Sequence, residues 1–413
     1  MTRARIVLVA FLIAVLGLSP SDAPHAAVRP QVWPSANGLL AFRSDRNGSA
    51  DVFVTNLVQA QPTNLTGTRK VAEMDPAWSP DGTRIAFSRR ATLGGTADLF
   101  VMNADGSDPA PLRVAGVAER QAAWSPTGAV LAYAARTDPA GPSRIFTIHA
   151  DGTARRLLTA EPGAAYDVSP AWSPDGTQIA FASNRDGGFP EIYVMNADGT
   201  NQRRLTSNAF VDAHPTWSPD GTRIAFVRCC PDGSSEIYVM NADGSGEVDL
   251  TNTPSLWESD PAWSPDGTKI AYTAFSTGGG NVDVWVMNAD GSGQTRVTNN
   301  PAPDLAPAWQ PVPACTITGT EGNDVITGTE GNDVICAEGG DDVIDALGGD
   351  DLVFAGPGND LVQGRAGDDL LIGEDGDDQL VGGTGFDGLL GGAGTDTCLK
   401  GGNGGAPVGC EVT

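Results

Sequence analysis

The sequence predicts an all-β protein in which a β-propeller is followed by a second, shorter array of repeats. Two periods carry this prediction. The first is the recurrence of six tryptophans at intervals of 46, 48, 45, 46 and 46 residues: Trp78, Trp124, Trp172, Trp217, Trp263 and Trp309. The second begins at Gly319, where the period falls to nine residues. A fixed period is the sequence signature of repeat architectures, so these periods decide the fold class before any local feature does.

The copy from Pro170 to Thr206 shows how each long repeat is expected to fold. Its apolar runs around AW, IAF, EIYVM and RRLT are separated by the turns SPDG and NADG and by one loop of variable length. Asp-Gly between apolar runs favours a tight hairpin turn, because Gly accepts the positive φ that such turns need. Alternating Val, Ile, Tyr and Phe fit a strand with one buried face. Four strands in about 45 residues are the size of one propeller blade.

The turns of these copies carry a family resemblance. The motifs WSPDG and YVMNADG recur between residues 32 and 311 and resemble the WD40-like (PD40) repeats of the TolB family. That resemblance implies a six-bladed β-propeller and a partner that is a protein or part of the cell envelope. Five complete copies begin near Asp75, Glu119, Asp167, Asp212 and Glu258.

The sixth copy is split between the two ends of this region. Gly38 begins a run that predicts the inner strands, whereas DLAPAWQP from Asp304 predicts a first strand with nothing after it. We expect the strand with Trp309 to complete the N-terminal blade, because the ring then closes and no sheet edge stays open. Alternatively, the segment of Trp33, nine residues before Phe42, could supply that strand.

The net charge excludes one class of partner. The 413 residues carry a formal net charge of −26, whereas a nucleic-acid binder normally shows a basic patch or stripe. From Ala314 to Thr413 there are 20 Asp and Glu against two basic residues, Arg365 and Lys400. We therefore expect no nucleic-acid partner, and we expect counter-ions at the C-terminal array.

The N-terminus predicts export. MTRAR is followed by thirteen apolar residues from Ile6 to Leu18, which are too few to span a bilayer. A basic flank before such a run is typical of a secretory signal peptide, which we assign to residues 1–27. The alternative is an uncleaved membrane anchor. With the signal removed, the sequence predicts a secreted protein, extracellular or associated with the cell surface, without a transmembrane domain.

No catalytic or cofactor-binding residue is predicted in the propeller. The Asp residues that repeat in its turns are interpreted as structural, because Asp bonds its own backbone two residues on and tolerates tight turns. The repeated tryptophans are interpreted as blade packing. His149 and His214 replace residues that other copies repeat, and both are interpreted as sequence drift. Cys229 and Cys230 are adjacent and could form a strained vicinal disulfide or stay thiols.

A proline-rich segment predicts the domain boundary. Five prolines lie between Pro301 and Pro313, and proline limits the conformations of a linker. The second domain is therefore expected to be held at a semi-rigid angle. The predicted segments are a propeller at 32–311, a linker at 312–318, the nonapeptide array at 319–399 and a tail at 400–413.

The last array repeats one nonapeptide nine times without a gap. Its fourth position is Gly from Gly322 to Gly394, and its eighth is apolar in every copy. Its sixth position is always Asp: Asp324, Asp333, Asp342, Asp351, Asp360, Asp369, Asp378, Asp387 and Asp396. The array resembles the hemolysin-type (RTX) calcium-binding repeat G-G-x-G-x-D-x-U-x over residues 319–399.

This second resemblance implies a parallel β-roll that binds several Ca²⁺ ions. Two nonapeptides would make one coil, so that Asp residues 18 apart stack on one another. Ca²⁺ takes six to eight oxygen ligands, which the nine Asp carboxylates and the turn carbonyls would supply. Stacked carboxylates repel one another, so folding is expected to be coupled to calcium binding. The alternative interpretation is an acidic, glycine-rich linker.

The array departs from its motif at two places. The second position should be Gly but holds another residue in six copies: Thr320, Thr329, Glu338, Leu347, Arg365 and Glu374. If that position needs a left-handed backbone, each departure costs on the order of 1 kcal/mol. Gly388 and Thr397 also replace the Val or Leu of earlier copies. Which sites fill is therefore left open.

Four cysteines frame the array. Cys315 precedes the first copy, Cys336 ends the second, Cys398 lies in the last and Cys410 follows it. An exported protein favours disulfides. The simplest pairing by position joins Cys315 to Cys336 and Cys398 to Cys410, and two other pairings are possible.

Two hypotheses of function follow. The first is a secreted, non-catalytic calcium-binding protein whose propeller is a scaffold for a protein or cell-surface partner. The alternative is a secreted propeller enzyme, such as a lyase, glycosidase or peptidase-like hydrolase, with a calcium-binding C-terminal module. A peptidase of this kind needs a G-x-S-x-G motif, which the sequence lacks, and three histidines offer little for a lyase.

Overall fold

A computed structural model describes most of the chain as β-strands and turns. The described residues are 36–55, 62–68, 71–90, 95–112, 118–136, 138, 141–160, 165–229, 234–253, 256–276, 280–313, 315–401 and 410. The predicted signal peptide, Trp33 and Cys230 lie outside these residues. Within them, no helix is long and apolar enough to cross a membrane.

Strands β1 to β24 form the propeller. The first three are β1 (Ala36–Ser44), β2 (Asp51–Thr55) and β3 (Thr63–Asn64). The next unit is β4 (Ala72–Trp78), β5 (Arg84–Arg90), β6 (Asp98–Asn103) and β7 (Ala110–Pro111). It is followed by β8 (Arg120–Trp124), β9 (Val130–Arg136), β10 (Ser143–His149) and β11 (Arg156–Leu157). Then come β12 (Asp167–Trp172), β13 (Gln178–Ser183), β14 (Glu191–Asn196) and β15 (Arg203–Arg204).

The second half of the propeller repeats the same order. One unit is β16 (Val211–Trp217), β17 (Arg223–Cys229), β18 (Ser235–Asn241) and β19 (Val248–Asp249). The next is β20 (Leu256–Trp263), β21 (Lys269–Ser276), β22 (Val282–Asn288) and β23 (Thr295–Arg296). The last strand is β24 (Asp304–Val312). Within each unit, consecutive strands pair antiparallel.

The last propeller strand closes the ring. β24 pairs antiparallel with β1, with Trp309 opposite Leu40, and gives the sheet order β24-β1-β2-β3. The prediction that the strand of Trp309 completes the N-terminal blade is therefore confirmed. The first strands of the units lie side by side in a closed cycle, from β4 through β8, β12, β16, β20 and β24 back to β4.

The prediction of six separate blades is not met. Among the described residues, four sheets of the propeller have four strands each, and the fifth sheet has eight. The eight-stranded sheet arises because β18 and β20 are joined in parallel at one residue pair, Ser235 and Trp257. Two repeats thus share one sheet.

The repeated tryptophans and aspartates have the structural roles predicted for them. Trp78, Trp217 and Trp309 are all more than nine-tenths buried between the strands. In the turn after β12, Asp175 accepts hydrogen bonds from the backbone N–H of Thr177 at 3.0 Å and from the hydroxyl of Ser173 at 2.6 Å. The carboxylate therefore fixes its own turn.

Strands β25 to β34 form the roll. Their bounds are β25 (Ile317–Thr320), β26 (Val325–Thr327), β27 (Val334–Glu338), β28 (Val343–Asp345), β29 (Leu352–Phe354), β30 (Leu361–Ala366), β31 (Leu370–Asp375), β32 (Gln379–Thr384), β33 (Gly388–Ala393) and β34 (Thr397–Leu399). They alternate between two five-stranded parallel sheets, β25-β27-β29-β31-β33 and β26-β28-β30-β32-β34. Residues 18 apart are paired, as Ile335 is with Val353. The predicted two-copy coil is confirmed.

Two disulfides close the ends of the roll. Cys315 is bonded to Cys336, and Cys398 is bonded to Cys410. These are the pairs predicted from position. Both Cys398 and Cys410 also contact the apolar interior of the roll, which contains the residue at the eighth position of every copy.

The roll and the propeller share one hydrophobic core. In alternate copies, the residues on both sides of the inward-facing position are apolar. Among them, Leu352, Phe354 and Ile372 lie on the outer face of one sheet. This face packs against Leu39 and Val54 of the first blade and other buried residues of the propeller. Packing therefore holds the two parts against each other, whereas the predicted role of the prolines in the connection stays a prediction.

The sequence carried a signal for this contact. In the other sheet of the roll, the equivalent outer positions are mixed: Val343 is 43% exposed, and Asp345 and Gln363 are polar. A comparison of odd and even copies would therefore have shown that only one outer face is apolar. Such a face is normally covered by a partner surface.

Candidate metal centre

The nine predicted Asp residues lie in two rows, one at each edge of the roll. Parallel pairing of residues 18 apart places one Asp above the next along each edge. One row is Asp324, Asp342, Asp360, Asp378 and Asp396, and the other is Asp333, Asp351, Asp369 and Asp387. From Asp333 onward, all of these side chains are more than nine-tenths buried.

One carboxylate oxygen of each Asp is used by the backbone. The N–H of Asp342 donates to Oδ1 of Asp360 at 2.8 Å, and the N–H of Asp360 donates to Oδ1 of Asp378 at 2.9 Å. The same bond links Asp351 to Asp369 at 3.0 Å in the second row. This ladder ties each turn to the turn 18 residues later.

In six of the nine Asp residues, the other oxygen has no such donor. Six Oδ2 atoms are buried without a hydrogen-bond partner: those of Asp342, Asp351, Asp360, Asp369, Asp378 and Asp387. An unpaired buried carboxylate is strongly unfavourable. Accordingly, burial raises the pKa of Asp351 and Asp360 to about 6 and that of Asp369 and Asp378 to about 7, and neighbouring carboxylates add to the rise.

Backbone carbonyls point from one turn to the next. A Cβ added at Gly356 would lie 1.7 Å from the carbonyl oxygen of Glu338, and one at Gly358 would lie 1.9 Å from that of Gly340. Within a turn, a Cβ at Gly373 would lie 2.3 Å from Oδ2 of Asp378. A side chain at these positions would therefore collide with the oxygen atoms, and glycine allows the oxygens of neighbouring turns to come close together.

This arrangement fits a calcium ion. Ca²⁺ binds carboxylate and carbonyl oxygens in flexible geometry, and a cation would compensate the Oδ2 charges. Among the described residues, no three His, Cys, Asp or Glu side chains form a cluster that could hold a metal. The carboxylates alone are therefore not a site, and the turn carbonyls would have to complete the ligand set.

At most of the second positions that depart from the motif, the backbone is left-handed although the residue is not glycine. Glu338, Leu347, Arg365 and Glu374 all have φ between 72° and 78°. The predicted left-handed backbone is therefore present at four of the six departures. These four residues bear the cost of about 1 kcal/mol that a non-glycine residue has there.

The first two turns are different. Thr320 and Thr329 do not have a positive φ, and their backbone N–H and hydroxyl groups donate to the Asp of the same turn. The N–H of Thr329 lies 2.7 Å and its Oγ1 lies 2.8 Å from Oδ2 of Asp333. Although burial acts to raise the pKa of Asp333, these bonds from Thr329 lower it. Thr320 makes the same pair of bonds to Asp324.

The sequence suggested that Gly388 weakens its copy of the repeat, but the structure shows a close contact that requires glycine at this position. Its missing side chain leaves space for Asp105 of the propeller, whose Cβ lies 3.2 Å from the position that a Cβ of Gly388 would take. Oδ2 of Asp105 lies 3.7 Å from the ammonium group of Lys400, which also donates to the carbonyl of Asp387 at 2.6 Å. A larger residue at position 388 would push the carboxylate of Asp105 away from the ammonium group of Lys400.

His214 was interpreted as drift, and the structure places it at a distinctive position. In each first strand a register shift accompanies a left-handed residue: Asp75, Gln121, Ser169, His214, Asp260 and Ala306. These residues line a cavity of about 220 Å³ between the first strands. Nδ1 of His214 lies 2.6 Å from Oδ1 of Asp260. Periodicity could have found this position, because each residue stands three before its repeated tryptophan.

Comparison with known proteins supports both repeat assignments. The family model for the TolB beta propeller domain matches residues 20–166 and 140–259. These segments together cover more than half of the chain. The chain belongs to the TolB β-propeller family. The model for the RTX calcium-binding nonapeptide repeat matches residues 318–353, 354–389 and 372–404 of this TolB-family protein.

Solved structures confirm the fold of the propeller. TolB from Acinetobacter baumannii is 23% identical, with a TM-score of 0.57 over 66% of this chain and 66% of its own. A candidate TolB from Agrobacterium tumefaciens is 21% identical, with a TM-score of 0.53 over 67% of this chain and 99% of its own. The match therefore leaves about a third of the Acinetobacter protein uncovered. At these identities the likeness concerns the fold.

Proposed function

We propose that this TolB-family protein is an exported, non-catalytic calcium-binding protein whose propeller is a scaffold for a protein or cell-surface partner. The observation that carries the proposal is the double row of buried Asp side chains, six of which have an unpaired carboxylate oxygen. Several Ca²⁺ ions would compensate these charges. Calcium is abundant outside cells and scarce within, so the roll would fold after export. The proposed metal ligands are Asp residues of the nine-copy array.

Two further features support this assignment. The disulfides Cys315–Cys336 and Cys398–Cys410 are typical of an oxidising compartment, which agrees with a signal peptide at residues 1–27. The closed cycle of first strands supports a six-bladed ring, in which the eight-stranded sheet would count as two blades.

The proposal is tested by calorimetric titration of the full chain with Ca²⁺ and, separately, with Mg²⁺. We expect saturable Ca²⁺ binding at several sites and much weaker Mg²⁺ binding, because Mg²⁺ demands near-ideal octahedral geometry and gives up its water reluctantly. A variant with Asp342, Asp351 and Asp360 changed to Asn should lose most of the heat. Absence of Ca²⁺ binding at millimolar concentration would refute the proposal.

The non-catalytic part rests on the contents of the propeller cavity. Its ionisable side chains are Asp75, His214 and Asp260, and His214 and Asp260 already engage each other. The carboxyl groups of Asp75 and Asp260, with the polar groups beside them, suit contact with a basic segment of a partner protein. We expect no turnover in a screen of polysaccharides and peptides. Turnover that His214→Ala abolished, in a variant with unchanged melting temperature, would favour the enzyme alternative.

A further inference from the structure

The two ends of the Asp rows differ from the middle in how the carboxylates are compensated. In the turns that contain Asp324 and Asp333, the second residue is Thr, and its N–H and hydroxyl groups bond Oδ2 of the Asp. In the turns of Asp342 and Asp351, Oδ2 is buried without a donor. The first two turns thus have neutral donors for Oδ2, which the turns of Asp342 and Asp351 lack.

The backbone of the first two turns also faces its neighbour differently. A Cβ added at Gly358 or Gly367 would meet the carbonyl oxygen of the preceding turn at 1.9 or 2.0 Å. A Cβ added at Gly340 would instead lie 2.5 Å from both atoms of the peptide bond between Gly322 and Asn323, and one at Gly349 would lie 2.5 Å from both atoms of the equivalent bond before Asn332. The first two turns therefore present the face of a peptide unit where the later turns present a carbonyl oxygen, which is the kind of ligand that Ca²⁺ binds.

We infer that the first two turns are metal-free caps and that calcium sites form only between turns that both have the left-handed second residue. Nine stacked turns in two rows leave seven gaps between neighbours 18 residues apart. The caps border two of these gaps. Five gaps remain as sites, between Asp342 and Asp360, Asp351 and Asp369, Asp360 and Asp378, Asp369 and Asp387, and Asp378 and Asp396.

The second row also has a built-in cation at its other end. The ammonium group of Lys400 donates to the carbonyl oxygen of Asp387 at 2.6 Å and is largely buried against Asp105. Lys400 occupies the first position of what would be the next turn. A fixed positive charge there ends the row without a further ion. In the second row, threonine donors at one end and a lysine at the other thus define the length of the metal array.

This inference rests on the proposed calcium function, and one experiment separates the two. The measurement is the number of Ca²⁺ ions retained per full-length chain after equilibrium dialysis, determined by elemental analysis. Five ions would support both the function and the caps. Seven ions would overturn the caps and leave the calcium function intact. No bound ion at millimolar Ca²⁺ would refute the function itself.

Two matched pairs of substitutions sharpen the count. Asp324→Asn and Asp360→Asn make the same change in one row, but Asp324 borders only a capped gap, whereas Asp360 borders two sites. We expect five ions in Asp324→Asn and three in Asp360→Asn. Equal losses in the two variants would contradict the inference.

Thr329→Gly removes the donor hydroxyl and permits the left-handed turn, so it should raise the number of bound ions to six. Its control is Thr384→Gly, in an exposed later turn, which should leave the number at five.

Discussion

Removal of calcium should unfold the roll and destabilise the whole chain. Each site that is filled at a hundred-fold excess over its dissociation constant contributes about 2.7 kcal/mol. In EGTA these contributions vanish, and the buried Oδ2 atoms of Asp360 and Asp378 lose their compensating charge. We expect a large fall in melting temperature by calorimetry, reversed by excess Ca²⁺.

A single substitution should reproduce part of this loss. Asp360→Asn affects two neighbouring sites, so it should cost about 5 kcal/mol in saturating calcium, which is two contributions of the size above. The matched control is Asp341→Asn, which makes the same charge change one position from a ligand, on an exposed side chain. It should cost less than about 0.5 kcal/mol. Equal effects of the two variants would show that Asp360 does not bind a structural cation.

Truncation of Phe354 should separate the roll from the propeller. Phe354 is 8% exposed and belongs to the core that both parts share. Large-to-small substitution of a buried Phe costs about 3–5 kcal/mol. Because the lost contacts lie between the parts, Phe354→Ala should also split one cooperative unfolding transition into two, as seen by calorimetry in excess Ca²⁺.

The control for Phe354 lies on the opposite face of the same roll. Val343 is 43% exposed and faces solvent on the other sheet. Val343→Ala should leave a single transition and change stability by less than about 1 kcal/mol, since little apolar surface is lost. A single unshifted transition in Phe354→Ala would show that the contact between the parts contributes little.

The repeats made much of the fold predictable. The spacing of the tryptophans gave the blade unit, and the nonapeptide period gave the pairing of Ile335 with Val353. Closure by Trp309 followed from the need to cover a sheet edge, and it is what the structure has. These features are local or periodic, so a sequence displays them directly.

Two of the features that the sequence analysis missed depend on contacts between segments that are apart in the sequence, and a third depends on the conformation of one turn. Gly388 looked like a defect until Asp105, nearly three hundred residues away, was found beside it. His214 looked like drift, because its partner Asp260 lies on the first strand of the next unit, which folding places beside it. The role of Thr329 depends on a turn conformation that the motif alone does not encode. In each case the role of the residue becomes apparent only when the group that it contacts is known.

The most direct test of the central claim is hydrogen–deuterium exchange of the full chain in Ca²⁺ and in EGTA. The N–H groups of Asp342 and Asp360, which donate to the next Asp along the row, report on the stacked turns. We predict that EGTA removes protection from residues 337–399 and from the β1–β2 surface that packs on the roll, while β13 and β14 stay protected. Equal protection of the roll in both conditions would contradict a calcium-dependent fold.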